Sequence, residues 1–317
     1  MITNMRENDL LAWFAANARR HSHVPVGIGD DMAAVVLSGN TQGQGGALAL
    51  LKIDQALDRV HFDLRQHTPR QAGVKAVNRC LSDCAAMACW PRAILIAVAL
   101  PHSTSSEMAQ ELFMGCESAA AAFQCPIVGG DTAVWDQRLA ITVAAMGESP
   151  AAPVRRSGAV AGDAIVLTGR VGGSILARHL TFTPRIAEAR AIHQAAAIHA
   201  MMDISDGLAQ DLPRLLAASG VGAVVEAARI PIHPDAHTLA RTDGQPALVH
   251  ALADGEDYEL LLTLAPADVS RIQALGLSVE LTVIGTITAQ PELVLRDEHG
   301  TPRPWPRGGW EYESGNP

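Results

Sequence analysis

Acids that close apolar or glycine-rich runs set the pattern of this sequence. Gly27-Ile28-Gly29-Asp30-Asp31 leads into an apolar run over residues 32–37. The pattern returns at Ile53-Asp54, Leu81-Ser82-Asp83, Gly129-Gly130-Asp131, Asp203-Ile204-Ser205-Asp206-Gly207 and Gly255-Glu256-Asp257. Glycine lets a backbone turn tightly, and paired carboxylates suit a hard cation that carries phosphate oxygens. Each motif alone reads equally as a turn or a cap. Together they call for a fold in which the ends of strands and helices converge on one site.

The chain of 317 residues is long enough for two domains, each with its own core. With 48% hydrophobic and 18% charged residues it is globular rather than disordered. A net charge of -9 argues against a nucleic-acid surface, and an acidic protein that handles phosphates needs metal ions as intermediaries. Five cysteines (Cys80, Cys84, Cys89, Cys116, Cys125) include no CxxC pair, which disfavours zinc. Three of them fall in one expected helix. The odd count and the lack of an apolar export signal fit reduced thiols in the cytoplasm. No uncharged apolar run reaches membrane-spanning length.

Read in order, residues 7–20 predict an amphipathic helix with Leu10, Leu11, Phe14 and Ala15 on one face. A short strand follows Asp31. Residues 38–46 read as a hairpin loop, and residues 47–53 as a strand that ends at Asp54. Thr68-Pro69 opens a long helix that carries Lys75, Asn78, Ser82 and Asp83. The spacing then predicts a strand over 93–100, a helix over 105–123, a short strand over 126–128 and a strand over 139–146. Two prolines in residues 148–153 mark a linker, so the expected domains are 1–150 and 151–317. The second half predicts a strand over 164–168, a glycine turn over 169–173, helices near 174–179, 186–200 and 208–218, and strands near 260–264 and 279–287. Its tail, 302–317, is rich in Pro, Gly and Trp.

Familiar phosphate loops are missing. There is no GxxxxGK[ST], and Gly169-Arg170-Val171-Gly172-Gly173 has the wrong spacing for a dinucleotide fingerprint. HExxH, GxSxG and the protein-kinase set are absent too. Asp83 reads as a solvated helix residue or as a metal ligand, because a carboxylate among Leu81, Ala85 and Ala86 is poorly compensated without a cation. Asp131 is either a turn residue or the holder of a cation whose phosphate sits on the Gly129 and Gly130 amides. Asp203 to Gly207 is a helix cap or a ligand set, and Arg155 and Arg156 are linker residues or phosphate partners. A lone His61 is ordinarily structural.

The ordered set GIGDDMAAVV, KIDQALDRVHF, GVKAVNRCLSDCAAM, GGDT, RRSGAVAGD, RHLTFTPR, MMDISDGLAQDL and ADGEDYELL spans roughly residues 27–262. It resembles the thiamine-monophosphate kinases, relatives of aminoimidazole ribonucleotide synthetase and selenophosphate synthetase. The resemblance implies an α/β fold of α+β type in two domains: an N-terminal sheet that forms a barrel with a second subunit, and a C-terminal α/β domain. It implies phosphorylation of thiamine monophosphate by ATP with several Mg²⁺ ions, in a homodimer that has no business with nucleic acid or membrane. By motif, Asp30, Asp54, Asp83, Asp131, Asp203 and Asp206 would be metal ligands. Gly130, Asp131, Arg156 and Ser205 would meet ATP. His61, Glu256 and a C-terminal aromatic, Trp310, would meet the thiamine phosphate. No general base is assigned, because the acceptor phosphate is already largely deprotonated near neutral pH (second pKa roughly 6).

The chain departs from that pattern in places. Lys52-Ile53 stands before Asp54 where the resembling proteins carry Ser or Thr, so a lysine replaces one cation's charge or marks a lost metal site. Ala88 replaces a glycine, Asp254 precedes Gly255-Glu256-Asp257, and the segment after Arg185 is short. These changes keep two other readings in view: a relative acting on another phosphate or carboxyamide, and a catalytically weak nucleotide-binding protein.

Overall fold

The structure is a computed structural model that describes residues 7–40, 44–149, 152–306 and 308. The first half runs α1 (Glu7–Asn17), β1 (Ala33–Asn40), β2 (Gln44–Leu57), α2 (Pro69–Ala86), β3 (Trp90–Pro101), α3 (Ser106–Ala121), β4 (Ile127–Trp135) and β5 (Ala140–Glu148). Its strands form one sheet in the order β1-β2-β5-β3-β4. Neighbours are antiparallel except β3 and β4, which are parallel and joined through α3.

The second half runs β6 (Ala164–Thr168), α4 (Ile186–Ala195), β7 (Ile198–Asp203), α5 (Leu208–Ser219), β8 (Gly222–Glu226), α6 (Pro234–Asp243), α7 (Ala247–Ala253), β9 (Leu260–Leu264), α8 (Pro266–Gln273), β10 (Leu281–Thr288), β11 (Leu293–Arg296) and β12 (Pro302–Pro304). Its sheet has the order β12-β11-β8-β10-β6-β9-β7.

Helix α2 is the element the two halves share. Thr68 caps it: its hydroxyl accepts from the Gln71 amide at 3.2 Å, and the Gln71 side chain accepts from the Thr68 amide at 2.9 Å. Pro69 fits the first turn, where its missing N–H costs nothing. The helix is buried on most of its surface, packing on β2, β5 and α3 of the first half and on α4 and β7 of the second. Glycine permits the closest contact, for a Cβ at Gly115 of α3 would lie 2.1 Å from the Arg70 carbonyl oxygen. One core runs through the junction, with Leu81 and Cys84 of α2 joined to Ile186, Ile192 and Met201. A second core fills the space beneath α5 and α7.

The other face of the first sheet is open. Leu51, Ile53, Leu95 and Met146 are exposed there, while Leu50, Ile94, Ile141 and Val143 of the same sheet are buried against α2. All five cysteines are free and buried. Cys89 lies past the end of α2, not within it. No helix among the described residues is long and apolar enough to cross a membrane.

Several expected elements differ. Helix α1 stops at Asn17, and Leu11, Trp13 and Phe14 stay exposed. The hairpin loop expected over 38–46 shrinks, because β1 runs to Asn40 and β2 starts at Gln44. Strand β2 continues to Leu57, so Asp54 lies inside a strand paired with β5 rather than at its end. Strand β4 runs through Gly129-Gly130-Asp131 instead of turning there. The helix expected at 174–179 is two short 3₁₀ turns. The helix expected over 186–200 ends at Ala195, and β7 takes the remainder.

Candidate active site

Three carboxylates from separate elements meet where the halves join. Asp31 comes from the turn before β1, Asp83 from α2 and Asp203 from the end of β7. Each is buried, and each offers an oxygen within 4.8 Å of the others'. Burial raises the Asp83 carboxyl, opposed by Lys52 and reinforced by the charges of Asp203 and Asp31. Burial and the Asp31 charge push Asp203 up to about 6, against a hydrogen bond donated by the Ser82 hydroxyl at 2.5 Å. Two cations face the group. Lys52 Nζ lies 3.0 Å from Asp83 Oδ2, and Arg156 Nε donates to Asp31 Oδ1 at 3.0 Å. Burial works against the Lys52 charge, but Asp83 and then Asp54 outweigh it and hold the ammonium above its ordinary value.

Asp30 is not one of the three acids of this group. Its Oδ1 accepts from the amides of Asp31 (3.1 Å) and Arg156 (3.2 Å), so it shapes the turn that presents Asp31. Burial, then the Asp31 charge, raises its carboxyl. Asp31 Oδ2 is buried with no hydrogen-bond partner. An unpartnered buried carboxylate oxygen is costly, and three convergent hard oxygen donors are the chemistry a magnesium ion takes. These residues fit such an ion.

Lys75, Arg79 and Asp83 are four residues apart on α2 and therefore share one face over about 12 Å. Arg79 Nε lies 3.3 Å from Asp54 Oδ2 of β2. At the far end the buried Lys75 Nζ meets Glu256 Oε1 at 2.7 Å and His179 Nδ1 at 2.6 Å, and donates to the His61 carbonyl. His61 and Glu256 are thus brought together through Lys75. Burial lowers Lys75 to about 8 despite Glu256. Burial raises Glu256, but a hydrogen bond from His179 and the Lys75 charge bring it down to about 2. The His61 ring accepts from the Leu57 amide at 3.0 Å, and burial followed by the Arg79 charge lowers it to about 4, so it is neutral at pH 7.

Glu256 and Tyr258 both adopt positive φ (52° and 53°), an uncommon backbone for such residues. Their amides donate to the carbonyls of Ser205 (2.7 Å) and Ile204 (2.8 Å), which locks this loop to the one after Asp203. Tyr258 stacks on Phe182 with ring centroids 3.9 Å apart. The loop at Ser205-Asp206 is held from below: the buried Asp211 accepts from both amides, at 3.0 and 2.9 Å. Asp206 itself pairs with Arg214 at 2.5 Å.

The structure therefore groups Asp83 and Asp203 directly, with Asp31 in place of its neighbour Asp30. Asp54 and Arg156 border the group, and Ser205 and Asp206 sit on the loop leaving it. Asp131 is exposed on the edge strand β4, and no hydrogen bond or ion pair among the described residues joins it to the group. At Gly130 a Cβ would lie 1.8 Å from the Ile96 carbonyl oxygen, so pairing with β3 already demands glycine. Trp310 lies outside the described residues. Sequence reasoning gave no role to Lys75, Arg79, His179 or Asp211. The i, i+4, i+8 spacing of Lys75, Arg79 and Asp83 was the available signal for the first two.

Residues 29–149 match the family described as AIR synthase related protein, N-terminal domain, and residues 160–298 match its C-terminal domain. A thiamine-monophosphate kinase of Rhodopirellula baltica is 37% identical over 90% of this chain and 91% of its own length. The chain belongs to the thiamine-monophosphate kinase family. The kinase of Bacillus subtilis is 28% identical over 89% of this chain and 91% of its own. The solved structure of AaThiL complexed with AMPPCP and TMP superposes with a TM-score of 0.83 at 26% identity, covering 97% of both chains. That kinase family and the two-sheet α/β architecture agree with the resemblance read from the motifs.

Proposed function

We propose that this chain transfers the γ-phosphoryl group of ATP to thiamine monophosphate, releasing ADP and thiamine diphosphate. The observation that carries the reading is the buried Asp31–Asp83–Asp203 group with its unpartnered Asp31 Oδ2, set at one end of an α2 face whose other end holds Glu256. Family membership and the bound molecules of the superposed relative support the choice of substrates.

The acceptor phosphate is its own nucleophile, so no side chain has to remove a proton from it. The task is to hold two anions in line on an acidic protein. Asp31, Asp83 and Asp203 would hold magnesium, with Asp30, Asp54, Asp131 and Asp206 as further ligands, and the bound ions would supply charge neutralisation and orientation between the phosphates. Arg156, Gly130, Asp131 and Ser205 would meet ATP. Glu256, kept ionised by Lys75 and His179, offers a negative charge to the cationic ring of thiamine, and the neutral His61, whose Nδ1 accepts from the Leu57 amide, offers an Nε2–H donor beside it. Trp310 is the proposed ring neighbour. The open apolar face of the first sheet supports a homodimer built sheet to sheet, and five free buried thiols support a reducing, cytoplasmic setting.

Phosphorus NMR of the protein with ATP, Mg²⁺ and thiamine monophosphate tests the reading. A growing diphosphate-ester signal that needs both protein and Mg²⁺ is expected. ADP and free phosphate without a thiamine product would point to another acceptor, and unchanged signals would point to a binding protein.

A further inference from the structure

Along β2, Leu50, Lys52 and Asp54 share the face turned to α2, while Leu51 and Ile53 face out. Opposite them α2 presents Arg79 and Asp83. The charges cross: Asp54 meets Arg79 at 3.3 Å, and Lys52 meets Asp83 at 3.0 Å. Lys52 is no surface lysine folded back on a carboxylate, because its side chain is 24% exposed and that of Asp83 is 10% exposed. Asp83 Oδ2 is therefore already taken by a fixed cation within the group of three acids. Asp31 differs: Arg156 engages only Oδ1, and Oδ2 is left buried and bare.

We infer that the Lys52 ammonium stands in for one divalent cation at the Asp83 edge of this site, so that the chain binds one metal ion fewer per subunit than its carboxylates would otherwise hold. The inference rests on the metal role proposed above for Asp31, Asp83 and Asp203. A primary ammonium can neutralise a buried carboxylate and donate to a phosphate oxygen, but it brings one positive charge where a divalent ion brings two, and it forms no coordination bonds. Lys52 thus sets the metal count and gives the Asp83 edge a point donor toward whichever anion lies there. Its neighbour Asp54, held by Arg79, has its charge matched in the same way.

The test is a Mn²⁺ titration of the whole protein in the presence of AMPPCP, following free Mn²⁺ by its paramagnetic resonance signal. Lys52→Ser should bind one Mn²⁺ more per chain than the unaltered protein, and Lys52→Arg should bind the same number as the unaltered protein. Equal, non-zero counts in all three would overturn the role of Lys52 and leave the metal site standing. No Mn²⁺ bound by any of them would overturn both. Should Lys52→Ser fail to fold, anomalous scattering from Mn²⁺-soaked crystals of the unaltered protein decides. Lys52 Nζ still beside Asp83 Oδ2 upholds the inference; a manganese peak at ligand distance from Oδ2, with the lysine displaced, refutes it.

Discussion

Glu256 shows how a single residue can be kept charged in a mostly buried place. Lys75 and His179 both reach its carboxylate, and the backbone at φ 52° is held by the hydrogen bond that its N–H donates to the Ser205 carbonyl. Its carboxyl is depressed from 4.5 to about 2. A depressed carboxyl contributes stability that is complete above the unfolded value and is lost as pH falls through the folded one. The window is therefore about pH 4.5 down to about 2, with up to about 3 kcal/mol at stake for a shift of this size. Glu256→Gln should lower stability at pH 7 and flatten the loss across that window, as read by urea unfolding at several pH values; an unchanged acid profile would remove this role. Asp30 and Asp31 mark the limit of sequence reading at this scale. Both acids were visible, but which of the pair joins Asp83 and Asp203 depends on the turn that Asp30 closes with its own backbone contacts. Lys52 was visible as a departure, and its partner Asp83 became known only once β2 lay against α2.

At the scale of elements, Pro213 sits inside α5 and cannot donate to the carbonyl four residues back, that of Ala209. The Trp305 indole N–H supplies the missing donor at 3.0 Å, tying the C-terminal strand region to the helix. Trp305→Phe keeps most of the ring and removes the donor. It should cost about 1–2 kcal/mol in thermal or urea unfolding, the usual cost of a half-satisfied buried carbonyl; no change would mean that another donor serves Ala209. The capped helix α2 was legible because Thr68 and Pro69 spell a helix start. Strand β4 was less so, for Gly129-Gly130 reads as a turn unless one knows that the β3 backbone passes too close for any side chain at Gly130. The alanine-rich stretch before Asp203 hid β7, because alanine carries little periodic signal to separate a buried strand from a helix.

For the whole molecule, the two-sheet architecture followed from motif order, whereas its junction through α2 did not, since burial of a helix by both halves leaves no local trace. The exposed face of the first sheet is the largest consequence of that arrangement. Ile53 is 67% exposed there between charged residues that face inward. Ile53→Glu should leave the fold intact and shift light-scattering mass from about twice 33.4 kDa to that of one chain. A monomer before the change would contradict the proposed dimer.

The acids that gather where the halves meet are the centre of the proposed chemistry. Quantifying thiamine diphosphate formed from ATP and thiamine monophosphate by the unaltered protein and by Asp203→Asn, with near-ultraviolet circular dichroism to verify folding, tests it most directly. Asn can still accept from Ser82 but carries no charge for a cation. The expected result is product from the unaltered protein and a loss on the order of 10²-fold or more in the folded variant. Full activity in Asp203→Asn would contradict the assignment of this group as the catalytic centre.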